Sequence, residues 1–300
     1  MVTNNNTVVS VIMNCFNGEK FLKEAIESVL SQTYQNWEII FWDNQSSDQS
    51  ANIFQSYSDK RLRYFYADAH TFLYEARNLA VSKAKGQYIA FLDVDDLWSP
   101  EKLMKQMLLF EDPEVGFVCC KAWMLNESSN LLEKMHKDDL PTGWVLGPLL
   151  ANYFLVLSSL VLRKSAFYSM NESFDTTLNV LGDIDLMVRM AVSWKSDCAQ
   201  TELASYRLHE NNMGQTQRDI HAKEFKRIFE KCRANKYINK LPELNDLENQ
   251  VIYTDGQRYV IKKDIKMVII NINRLPWGKL KFQLIILFLF PRPFLGWLRR

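Results

Sequence analysis

The sequence lacks a glycine-rich phosphate loop. The turn after its first apolar run reads NCFNGEKF, with Gly18 as its one glycine, where a dinucleotide site needs G-x-G-x-x-G. The Walker pattern G-x-x-x-x-G-K-[ST] is missing too. Any bound phosphate must therefore be held by something other than a glycine cradle. Cysteine is sparse: five residues, an odd count at scattered spacings, with no zinc pattern. A chain of 300 residues needs no disulfide staples, so these read as reduced thiols in a cytosolic setting. Net charge is almost absent at +1, and no global field selects nucleic acid as a partner. The opening MVTNNNTVVS has no basic stretch followed by an apolar one, which predicts no secretory signal. The largely apolar run from Phe282 to Phe290 holds nine residues, against the ~20 that a membrane-spanning helix needs.

What is present is ordinary globular material, 47% hydrophobic and 24% charged, enough for one large domain or a domain with an appendage. The first third alternates two periodicities. TVVSVIMNCF (7–16), WEIIFWD (37–43), LRYFYA (62–67) and QYIAFLD (87–93) read as strands. Between them, Phe21, Leu22, Ala25, Ile26, Val29 and Leu30 recur at helical spacing, Ser47 or Asp48 can cap a second helix, and a third spans about 75–84. This alternation predicts an α/β fold with a mostly parallel, Rossmann-like sheet flanked by helices. Further on, a helix is expected from Pro100 to Phe110, strands over 115–125 and 154–163, a helix over 183–193, and polar helices over 215–265. The boundary is placed at 213: a catalytic domain over 1–213 and a helical extension over 214–300.

In an open parallel sheet, ligands bind beyond the carboxyl ends of the strands. Here those ends carry Asn14-Cys15-Phe16-Asn17, then Asp43-Asn44, then Asp93-Val94-Asp95-Asp96. Together they make an acidic rim. Asp93 and Asp95 are two apart, so in an extended segment both project to one side. Hard oxygen donors so placed suit Mg²⁺ or Mn²⁺, which commonly complete their shells with phosphate oxygens and water. The plainer reading is that Asp95 and Asp96 only cap the next turn. An enzyme whose leaving group is a nucleoside diphosphate fits both the acidic rim and the missing glycine loop.

The stretches VSVIMNCFNGEKFLKEAIESVLSQTYQNWEIIFWDNQSSDQS and EARNLAVSKAKGQYIAFLDVDDLWSPEKL resemble the family 2 glycosyltransferases of GT-A fold, of the bacterial polysaccharide type. The likeness is dense over about 8–110 and thinner to about 212. It implies that Cys15, Phe16 and Asn17 contact the nucleotide base, and that Asp43 accepts the base N–H. It implies that Arg77, in Ala-Arg-Asn, touches the diphosphate. Asp93 and Asp95 match the DxD motif, with Asp93 on the nucleotide side and Asp95 the direct ligand of Mg²⁺ or Mn²⁺. Asp183 matches the catalytic base, with Asp185 as a substitute. His209, in YRLH (206–209), would complete the metal shell or contact the diphosphate. The chain departs from the pattern at Asn14, Cys15, Asn44-Gln45 and, above all, Gly182, which stands where a Glu precedes the base.

The resemblance implies an inverting, metal-dependent transfer of sugar from a nucleotide sugar, UDP-type, to a hydroxyl on a glycan or lipid-linked acceptor, in surface polysaccharide assembly. Two other readings stand beside it. A sugar nucleotidyltransferase would need a basic, Gly-rich loop after strand one, and none is there. A binding module without turnover would fit the Glu-to-Gly change. Residues 258–300 hold ten Lys/Arg against the single acid Asp264, and Trp277 and Trp297 bracket the short apolar run. Cations and aromatics so arranged suit an interfacial anchor on the cytoplasmic face of the membrane. The same segment could instead pack on the domain or on a second subunit.

Overall fold

The computed structural model describes residues 9–129, 131–170 and 172–289. They divide into two compact units: one runs to Leu146 and includes Phe154–Asn212, the other holds Gly147–Tyr153 and the residues from Met213 onward.

The first unit opens as alternating elements: β1 (Val9–Cys15), α1 (Glu19–Leu30), β2 (Trp37–Asp43), α2 (Ser50–Gln55), β3 (Leu62–Tyr66), α3 (Leu73–Ser82) and β4 (Tyr88–Phe91). β1, β2 and β4 are buried along nearly their whole length, as strands covered on both faces must be. α1 turns Leu22, Ala25, Ile26 and Val29 onto them, a stripe at i, i+3, i+4 and i+7. Two polar residues enter this core at the start of the strands, and both are satisfied. Ser10 donates to Glu38 (2.7 Å), and Glu38 also receives Arg63 and the Lys85 N–H, each at 2.7 Å.

The chain continues through β5 (Leu97–Trp98), α4 (Lys102–Met107), β6 (Val115–Asn126), β7 (Leu131–Lys134), α5 (Leu146–Ala151), β8 (Val161–Arg163), α6 (Lys164–Tyr168), α7 (Gly182–Ala191) and β9 (Lys195–Leu208). The nine strands form one sheet in the order β3-β2-β1-β4-β8-β6-β9-β5, with β7 beside β6. β1 to β4 pair in parallel. β8 is antiparallel to both β4 and β6, and β9 is parallel to β6. Two reversals cancel, so β6 and β9 run with β4. The carboxyl ends of β1, β2, β4 and β9 therefore open on one edge, which brings His209 to the edge that carries Asp43 and Asp93.

The half of the sheet beyond β4 is mixed, and it departs from the sequence reading in two places. The strand expected over 154–163 shrinks to Val161–Arg163. Leu157–Ser159 is a 3₁₀ turn, because its carbonyls go to side chains: Trp98 donates to Ser158 O (2.7 Å) and Gln106 to Ser159 O (2.8 Å). The long strand β9 is hidden in sequence because its middle is polar and bulged. The pairing register shifts between Cys120↔Ala199 and Lys121↔Glu202, leaving Gln200 and Thr201 unpaired.

The second unit is helical: α8 (Met213–Thr216), α9 (Arg218–Ala234), α10 (Leu244–Lys262), α11 (Ile265–Arg274) and α12 (Lys279–Leu289). Asp219 of α9 pairs with Arg258 (2.5 Å) and Lys262 (2.8 Å) of α10. Ile252, Leu275 and Leu284 form its buried apolar cluster. Gly256 permits a close approach, since a Cβ there would lie 2.5 Å from Leu284. Among the described residues no helix is long and apolar enough to cross a membrane. The interfacial reading of Phe290, Trp297 and the closing arginines falls on residues outside those described.

Candidate active site

The β1 turn and the β2 turn are laced together. Asn17 has a positive φ of 55°, in the left-handed region that Asn tolerates better than most residues. Its side-chain oxygen accepts from the Ser47 N–H (2.8 Å), and its own N–H donates to the Ser46 hydroxyl (3.0 Å). The Cys15 thiol is buried and faces Gly18, Ser46 and Ser50, and burial pushes it up. Phe16 is the exposed member, 54% accessible, with the His70 ring 4.4 Å away. Asp43 is fully buried; its two oxygens accept from the Ser46 N–H and the Tyr64 hydroxyl, both at 2.7 Å.

Each aspartate of DVDD has a different job. Asp93 is partly exposed and receives the buried Arg77 guanidinium at 2.5 Å. Asp95 sits 2.9 Å from His209 Nε2. Asp96 is buried and accepts from the Ser158 hydroxyl (2.5 Å) and the Arg207 N–H (2.9 Å). Asp96 is thus an anchor, tying the turn to β9 and to the 3₁₀ turn. Arg207 adds a bond to the Asp95 carbonyl (2.8 Å) and an ion pair with Glu24 (2.6 Å). Burial raises the Asp95 pKa, the charge on Asp93 raises it further, and His209 opposes both. Asp96 is raised well above the usual range by burial and then by Asp95 and Asp93.

Asp183 stands in the first turn of α7, half-buried, and the Tyr74 hydroxyl lies 3.1 Å from its Oδ1. Burial raises its pKa, against the pull of Arg77 and Tyr74. Asp185 is buried and held by Arg189 at 2.8 Å, a structural ion pair. That pairing leaves Asp183 as the more available carboxylate. Trp98 is buried in the core.

Asp95 and His209 offer a carboxylate and an imidazole side by side. No group of three His, Cys, Asp or Glu converges among the described residues. A carboxylate with an imidazole suits Mn²⁺ better than the oxygen-preferring Mg²⁺, the rest of the shell coming from phosphate and water. Four residues at this edge escaped the sequence reading. Tyr74 and His70 precede Ala-Arg-Asn with no motif of their own. Tyr206, half-buried, has its pKa raised by burial and by Asp96, Asp95, Asp93 and Asp183. Arg207 sat inside YRLH, and its buried position could have been suspected from β9, had that strand been recognised.

A doubly flanked α/β sheet with an acidic strand-end edge is the GT-A arrangement. A profile of glycosyl transferase family 2 matches residues 10–170, and the chain belongs to that family. It is 38% identical over 118 residues to the putative teichuronic acid biosynthesis glycosyltransferase TuaG of Bacillus subtilis, covering 39% of this chain and 47% of that one. It is 35% identical over 122 residues to the UDP-Glc:alpha-D-GlcNAc-diphosphoundecaprenol beta-1,3-glucosyltransferase WfgD of Escherichia coli, covering 41% and 48%. These matches span about half the length of either relative. Among solved structures, S. aureus TarS 1–349 in complex with UDP-GlcNAc superposes with a TM-score of 0.69 at 16% identity, over 88% of this chain and 78% of that one. The mannosyltransferase PcManGT from Pyrobaculum calidifontis, in complex with GDP-Man and Mn2+, gives 0.65 at 16% identity, over 96% and 82%. At such identities the superpositions show the shared fold.

Proposed function

We propose that the chain transfers a sugar, with inversion, from a nucleoside diphosphate sugar to a hydroxyl of a glycan or lipid-linked acceptor. The observation that carries this is the convergence on one edge of a half-buried, pKa-raised Asp183, an Arg77–Asp93 pair and an Asp95–His209 pair. Phe16 offers an exposed aromatic face for the base, and Asp43 keeps lone pairs for its N–H. Arg77 neutralises the diphosphate from below, and its buried position makes that charge effective. Asp183 takes the acceptor proton as the hydroxyl attacks; a carboxylate raised toward neutrality is a better base than an ordinary one. Asp95 and His209 would hold Mg²⁺ or Mn²⁺. Bound there, the ion supplies positive charge against the departing diphosphate.

The catalytic assignment belongs to residues 1–213, and UDP is the donor type we favour, on the strength of the UDP named for WfgD and for the TarS complex. Exposed Ile265, Ile269, Trp277 and Phe282, set among Lys266, Lys279 and Lys281, support a peripheral contact of the extension with an anionic membrane surface on the cytoplasmic side. UDP release from UDP-glucose and from UDP-N-acetylglucosamine, with Mn²⁺, tests the reading. Wild type should turn over one of them, Asp183→Asn and Asp95→Ala should not, and equal turnover in all three ends the proposal.

A further inference from the structure

Gly182 stands where the resemblance implies a Glu before the base, and its surroundings explain the change. A Cβ on Gly182 would fall 2.6–2.8 Å from three ring atoms of Tyr74, distances that real Cβ atoms essentially never show. The Tyr74 ring therefore fills the space that a side chain at 182 would leave by. It is fixed there from several sides. It is 1% exposed, stacks on Phe174 with centroids 5.3 Å apart, and carries the Arg77 guanidinium over its face at 5.2 Å. Its hydroxyl lies 2.9 Å from Val180 O and 3.1 Å from Asp183 Oδ1, so its one proton is shared between two acceptors and swings to the carboxylate when Asp183 is charged.

We propose that Tyr74 is a positioning residue for Asp183: its hydroxyl holds one carboxylate oxygen, leaving the other to face the acceptor, and Gly182 is the gap that admits its ring. This rests on the reading of Asp183 as the base. The same ring links the two ends of the reaction. Arg77 lies over its face and pairs with Asp93, while its hydroxyl holds Asp183, so the base and the phosphate-facing cation are set against one rigid body. Phenol donation favours the charged form of the carboxylate, since a hydrogen bond to the ion stabilises it.

Tyr74→Phe keeps the ring and removes only the hydroxyl. The Asp183 carboxyl can be followed without any substrate, by the pH dependence of its ¹³C shift in aspartate-labelled protein, assigned with Asp183→Asn. The expected result is a pKa higher by about one unit in Tyr74→Phe, with kcat for UDP release lowered about tenfold and the donor KM unchanged. A Tyr74→Phe protein with wild-type kcat and an unmoved Asp183 titration overturns the inference, while loss of activity in Asp183→Asn would still leave the base reading in place. Wild-type activity in Asp183→Asn ends both. A second variant guards against a merely structural effect: Gly182→Glu, whose side chain would displace the Tyr74 ring, should lower kcat at least as far as Tyr74→Phe does. Full activity of Gly182→Glu in the presence of Tyr74 would show that the ring does not own that space, and would overturn the proposal.

Discussion

Lys102 is buried against the Trp98 ring, and its replacement gives a sharp test of that packing. Its side chain is fully buried, with one hydrogen bond to Gln106 Oε1 (2.7 Å) and the Trp98 ring 4.1 Å away. Burial pushes its pKa down from 10.5 to about 8. The unfolded chain therefore holds more protons than the folded one between pH 8 and 10.5, and stability gains with rising pH across that window. Below pH 8 the lysine is charged in both states, and the cost of burying the charge is felt in full. At about 1.4 kcal/mol per pKa unit, that cost is about 3 kcal/mol. Methionine has nearly the same length and no charge. Lys102→Met removes the penalty and gives up one hydrogen bond and a cation–π contact, together about 2 kcal/mol. The variant should be more stable than wild type at pH 7 by about 1 kcal/mol, a rise in Tm of about 3 °C for a unit of this size. By pH 10.5 the order should reverse, because neutral lysine keeps its bond at little cost. Urea titrations of both proteins at pH 7, 8.5 and 10 measure the difference directly. A gap between the two proteins that stays constant across that range would refute the reasoning.

Three further outcomes are expected. Arg77→Met should weaken UDP binding about tenfold in calorimetry with Mn²⁺ present, since a buried guanidinium would be lost from the phosphate side; unchanged affinity would remove Arg77 from the site. Gly256→Ala should cost about 2 kcal/mol in urea denaturation, because its Cβ would meet Leu284 at 2.5 Å, and wild-type stability would show that α10 and α12 can yield there. Ile265→Glu combined with Ile269→Glu should abolish co-sedimentation with phosphatidylglycerol vesicles while leaving UDP release intact, and undiminished sedimentation would take α11 out of the contact.

The first four strands were legible because each is a compact apolar run ending at a polar turn, and those runs carry Cys15, Asp43 and Asp93 to the rim. The two-residue spacing singled out Asp93 and Asp95, the resemblance to family 2 added Arg77 and Asp183, and the structure sets them on one edge. The mixed half of the sheet was harder to read. KSDCAQTELASYRL has polar residues at its bulge, so no periodicity of two survives along it, and the 3₁₀ turn at Leu157–Ser159 looks like strand until its carbonyls are seen to serve Trp98 and Gln106. Tyr74 was illegible for another reason. Nothing in Leu-Tyr-Glu-Ala-Arg-Asn says that its hydroxyl reaches a residue 109 positions away. Only the glycine at 182 left a trace of it.

A strand that runs into a cluster of negative charge needs opposite charge or donors from somewhere, and here they come from distant parts of the chain. Asp43 is held by Tyr64 from β3, Asp93 by Arg77 from α3, Asp95 by His209 and Asp96 by Arg207 from the end of β9, and Asp183 by Tyr74 from α3. No two of these carboxylates depend on the same side-chain hydrogen bond. Removing one tether should therefore leave the other hydrogen bonds standing, but single substitutions should not add among Asp93, Asp95 and Asp96, whose charges act on one another, nor where Tyr74 and Arg77 share a face. The tethers also divide by chemistry. Asp43 and Asp96 are each bound by two neutral donors and are buried, which fixes the walls of the site. Asp93, Asp95 and Asp183 are partly exposed, each with one side-chain partner. Those three are the ones free to exchange a partner when a charged ligand arrives. The difference follows from burial: a fully desolvated carboxylate cannot afford to lose a donor, whereas a half-solvated one can accept water while it changes partners.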